Sequence, residues 1–103
     1  MSFILIYVTA SSKDEAKKIS HHLLSKRLIA CANIFDGVTS IYRWESKVQE
    51  ESESVLMCKT SEAKFDQVKS EIEKIHSYST PCVGKIPIEF NKNYVEWLSA
   101  QLV

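Results

Sequence analysis

His76 and Cys82 carry the side chains with the most distinctive chemistry, an imidazole and a thiol six positions apart with Ser77-Tyr78-Ser79-Thr80-Pro81 between them. Pro81 pushes Thr80 into an extended conformation, so the chain bends between the two groups. Both could then reach one borderline-soft ion such as copper or zinc. Two donors do not complete a coordination sphere, and a third would have to come from another element or another subunit. The same residues also fit a plainer role, in which the imidazole serves the last carbonyls of a helix and the thiol begins a strand.

A second group is aromatic and cationic. Lys59 stands between an apolar strand and a helix start, either as a solvated surface charge or as the cation of a ligand cleft lined by Tyr42, Trp44 and Tyr78. Tyr42 and Trp44 suit packing against a partner as well as a ligand platform, because aromatic rings supply large contact area. Cys31 and Cys58 lie inside apolar strands and read as small core residues. His21 and His22 are adjacent on a helix, where neighbours do not converge on one ion. No nucleophile and base motif is present, and Gly37 and Gly84 are the only glycines, which excludes a phosphate loop or a dinucleotide fingerprint. The chain is therefore not expected to be an enzyme; a phosphatase on such a scaffold would need a phosphate cradle that the sequence lacks.

The elements that position these groups follow from periodicity. Phe3 to Val8 is a continuous apolar run, the mark of a central strand covered on both faces. Ser12-Lys13-Asp14-Glu15 has the form of a capping box, and Ala16, Ile19, Leu23, Leu24 and Leu28 then define a helical stripe. Ala30 to Ile34 reads as a strand, Asp36-Gly37 as a tight turn, and Val38 to Val48 as an alternating strand; the return arm runs from Ser46-Lys47 through the acidic stretch Glu50-Glu51-Ser52-Glu53 to Cys58. Thr60-Ser61-Glu62 offers a second helix start, with Phe65, Val68, Ile72 and Ile75 at helical spacing up to His76. Cys82 to Ile88 is a strand whose Pro87 marks an edge or a bulge; Asn91-Lys92-Asn93 is a turn, and Tyr94, Trp97, Leu98 and Leu102 form the apolar side of a last helix.

The order β-α-β-β-α-β-α predicts an α+β fold: a ferredoxin-like split βαβ sandwich with an extended β-hairpin and a C-terminal helix, in one domain over 1–103. Arms of about nine residues reach about 30 Å, comparable with the diameter of a domain of this length. The hairpin overshoots its own core, and an uncovered ribbon invites pairing with other chains. A second copy of the same chain is the simplest cover, so a homo-oligomer is expected.

Composition narrows the partners. Lys plus Arg and Asp plus Glu are 13 each, a formal net charge of zero, which gives no electrostatic reason for nucleic acid or an anionic membrane. The three cysteines are unpaired in pattern and point to a reducing, cytoplasmic setting. The N-terminal apolar run is too short for a membrane span and lacks the flanks of a signal peptide.

Together, A-C-A-N-I (30–34), G-V-T-S-I-Y-R-W-E-S-K-V (37–48), K-T (59–60), H-S-Y-x-x-P (76–81) and Y-V-E-W-L (94–98) resemble the CutA divalent-ion tolerance family over nearly the whole chain. The resemblance implies a very stable homotrimer whose long hairpins exchange contacts, and an association with tolerance to copper and other divalent ions without a settled enzymatic activity. Bacterial members of the family are linked to copper through a cysteine at the end of the first strand and histidines of an H-P-Y-x-x-P-E motif. Here Val8 stands at the first-strand position, Ile75 precedes His76, Ser77 replaces the proline and Cys82 replaces the glutamate. A thiol there would favour Cu(I) or zinc over hard ions. CutA trimers also look like the PII signalling proteins, which implies an alternative: a regulatory or scaffold trimer binding a small anionic metabolite or a protein in inter-subunit clefts.

Overall fold

A computed structural model describes residues 1–103. Eight residues form β1 (Phe3–Ala10), the centre of a four-stranded antiparallel sheet completed by β2 (Cys31–Trp44), β3 (Lys47–Ser61) and β4 (Val83–Ile88). The order across the sheet is β2-β3-β1-β4. Two helices, α1 (Lys13–Ser25) and α2 (Phe65–Ile75), cover one face, and α3 (Lys92–Gln101) follows β4. The ferredoxin-like arrangement is thus the observed one.

Alternation along β1 divides the core. Ile4, Ile6, Val8 and Ala10 are buried against Ala16, Ile19 and Leu23 of α1 and Val68 and Ile72 of α2. The opposite face is not fully covered: Phe3 is buried with Leu98 of α3 and with Leu102, which caps that helix, but Leu5, Tyr7 and Thr9 are only half-buried. The expectation of a strand covered on both faces therefore fails here, because α3 is a short helix and shields only the Phe3 end. Leu24 also leaves the predicted stripe for solvent, while Ser20 is buried and its Oγ donates to the Ala16 carbonyl at 2.7 Å. Pro87 sits in β4, an edge strand, as its missing N–H requires.

The hairpin is longer than predicted, although it turns where the return arm was expected to begin. Its turn is Glu45-Ser46, both at positive φ (50° and 67°), as a two-residue hairpin loop demands. Asp36-Gly37 is instead a bulge: Phe35 faces Val55 and Val38 faces Glu53, so two residues of β2 oppose Ser54 alone. Gly37 takes φ +72°, and Asp36 Oδ1 accepts from Ser54 Oγ at 2.6 Å. The extra residue shifts the parity of β2. Tyr42 and Trp44 consequently share the open face with Phe35 and Thr9 rather than the helix-covered one. With this arm the molecule extends 46 Å along its longest axis and only 24 and 21 Å across.

The second helix begins later than the Thr60-Ser61-Glu62 signal suggests. Thr60 belongs to β3, where its Oγ1 donates to the Leu28 carbonyl at 2.7 Å; a single 3-10 turn, Glu62–Lys64, then leads into α2. α3 likewise takes in Lys92 and Asn93, leaving Asn91 as its cap.

Candidate functional site

The segment between α2 and β4 is held from three directions. His76, with a fully buried side chain, donates from Nε2 to the Thr9 carbonyl at 2.8 Å and accepts the Tyr78 N–H on Nδ1 at 3.0 Å. A carbonyl only accepts, so the neutral ring with its proton on Nε2 satisfies both bonds. Glu15, at the start of α1, receives Ser11 N at 2.9 Å and Ser11 Oγ at 2.8 Å on one oxygen and Ser77 N at 2.8 Å on the other. Burial opposes its ionisation, but these bonds prevail and bring its pKa down to about 2. Finally, the Tyr78 hydroxyl donates to Glu53 Oε2 at 2.6 Å, tying the loop to β3.

Against this loop the open face of the arm forms a groove of about 600 Å³. Tyr42 and Trp44 of β2, Glu51 and Glu53 of β3, and Tyr78 and Cys82 of the loop line it. The sequence-predicted residues thus divide. Tyr42, Trp44, Tyr78 and Cys82 come together, with the Cys82 thiol exposed. Lys59 does not join them: its Nζ reaches Tyr94 Oη at 3.3 Å and lies 5.1 Å from the Tyr94 ring centroid, beside α3. It shares the open face, but six residues separate it from Glu53, about 20 Å of extended strand. His76 lies behind the groove wall rather than in it, with both ring nitrogens engaged.

Glu51 and Glu53 are the charged lining residues that the sequence reading passed over. Their signal was their spacing, since residues two apart on a strand share a face. Neither forms an ion pair; the lysine–carboxylate pairs of the chain lie around Glu71 and Glu62. Burial and the Glu53 carboxylate push the Tyr78 phenol well above its ordinary range, and burial and Glu51 raise that of Tyr42. Of the other thiols, Cys58 is buried, and burial, with Cys31 nearby, pushes it up to about 12; Cys31 is half-buried on the open face. No three His, Cys, Asp or Glu side chains converge in a metal-ligating arrangement within the chain.

Residues 4–101 match the family model of the CutA1 divalent ion tolerance protein. The divalent-cation tolerance protein CutA of Archaeoglobus fulgidus is 43% identical over 94 residues, 90% of this chain and 91% of that one. Its counterpart in Thermus thermophilus is 38% identical over 95 residues, 91% of this chain and 92% of the relative. The solved structure of the periplasmic divalent cation tolerance protein CutA from Archaeoglobus fulgidus superposes with a TM-score of 0.94 at 39% identity, covering 98% of this chain and 99% of the other.

Proposed function

Because the chain belongs to the CutA1 divalent ion tolerance family, we propose that it acts as a homotrimeric divalent-cation-binding protein that takes copper or zinc at the mouth of the arm groove. One observation carries this reading: an exposed thiol, Cys82, shares an open groove with two carboxylates, Glu51 and Glu53, that have no ion-pair partner. A soft donor near hard ones suits borderline ions, and because no three such side chains converge within one chain the rest of the sphere would come from neighbouring copies. His76 acts as a ligand only if it gives up one of its two hydrogen bonds; in the arrangement described it holds the loop that presents Cys82.

The trimer is supported by the arm, whose Ile41, Trp44 and Val48 are 64%, 51% and 63% exposed in the single chain. A cytoplasmic location fits three free thiols, and no helix is long and apolar enough to cross a membrane. The PII-like alternative, an anionic metabolite in the cleft, finds little support in a groove whose formal charges are carboxylates and from which Lys59 is absent.

Calorimetric titration with zinc and, anaerobically, with Cu(I) tests the metal reading. Saturable binding that Cys82→Ser weakens at least tenfold is expected, together with a light-scattering mass of three protomers. Binding that is unchanged in Cys82→Ser removes this site.

A further inference from the structure

Glu53 presents an unsolved charge problem. Its residue surface is only 9% exposed, its carboxylate has no Lys, Arg or His partner, and its one hydrogen bond comes from the uncharged Tyr78 hydroxyl at 2.6 Å. A carboxylate withdrawn from water is costly without a counter-charge. Glu51, two residues along the same strand face, adds a second negative charge to the same groove. Around these acids stand three π faces: Tyr42 and Trp44 from alternate positions of β2, and Tyr78 from the loop.

We propose that this groove binds a small organic cation, an alkylammonium or guanidinium compound, with the charge on Glu53 and Glu51 and the alkyl part between Tyr42, Trp44 and Tyr78. Aromatic faces attract such cations through the ring quadrupole, and the attraction grows as water is excluded. A hard, strongly hydrated ion such as Mg²⁺ prefers oxygen ligands and its own waters to ring faces. The carboxylates repel anions. The volume of about 600 Å³ lies within the usual range for small-molecule sites. Nothing in this assignment depends on copper or zinc, so the metal reading can fail while this one stands.

The test is run on the full chain in buffer containing a chelator. Trp97→Phe leaves Trp44 as the only indole, and its fluorescence is followed during titration with putrescine or tetramethylammonium chloride. A saturable change is expected, and calorimetry should show it weakened at least tenfold by Glu53→Gln, whose amide oxygen still accepts from Tyr78. Trp44→Leu should weaken it similarly and Trp44→Phe should largely retain it, with the sedimenting mass of each variant recorded so that loss of the ring face is told apart from loss of assembly. No saturable change, an equal response to sodium or magnesium chloride, or full affinity in both Glu53→Gln and Trp44→Leu overturns the proposal. A structure of the assembled protein with a neighbouring copy's lysine or arginine seated on Glu53 overturns it as well.

Discussion

Strands β2 and β3 run through both the body of the molecule and its arm, yet the two regions use their side chains differently. Below the bulge, Leu56, Cys58 and Thr60 of β3 are fully buried under the helices, while Met57 and Lys59 between them are half-buried on the other face. Above it, Ile41 and Val48 on one side and Tyr42 and Trp44 on the other all reach solvent. A polar ribbon would have sufficed for a solvated arm. Apolar side chains on both of its faces imply that the arm is completed by something outside the chain, whereas the body is completed from within.

Replacing a residue in each region makes that contrast measurable. Leu56→Ala removes a fully buried side chain between sheet and helices, and chemical denaturation of the protein should show a loss of about 3 kcal/mol. Trp44→Ala should leave the protomer folded, with unchanged circular dichroism, but reduce the sedimenting mass of the proposed trimer, to which burial of this exposed indole would contribute on the order of 3 kcal/mol. An intact oligomer after Trp44→Ala would erase the distinction. The smallest effect lies where body and loop meet. Glu15 has its pKa lowered to about 2, so its stabilisation is fully present above the ordinary carboxylate pKa of about 4.5 and is lost as pH falls from there toward 2. Acid titration of unfolding should therefore be shallower in Glu15→Gln over that interval, with roughly 1–2 kcal/mol lost at neutral pH.

How much of this was legible beforehand depended on whether a signal had one structural meaning. The order of strands and helices was readable because periods of two and 3.6 differ plainly. Asp36-Gly37 misled because a tight turn and a bulge both call for positive φ at glycine, while the true turn, Glu45-Ser46, takes positive φ at both positions without the glycine or asparagine that favours it. Tyr42, Trp44 and Tyr78 were grouped by residue type, whereas Cys82, paired in sequence with His76, joins them only through the fold. Lys59 shares their face but stands apart from them within the single chain, because its position along β3 sets it beside Tyr94. The burial of Glu53 was invisible: an acidic run reads as a solvated edge until Tyr78 is folded onto it.

The clasp formed by His76 has one further consequence. Because the imidazole is anchored to Thr9 and Tyr78 within the chain itself, the loop bearing Cys82 acquires its shape during folding rather than at capture. A guest arriving at the groove meets a finished wall and pays little to organise it, so association should be rapid and the backbone nearly indifferent to occupancy.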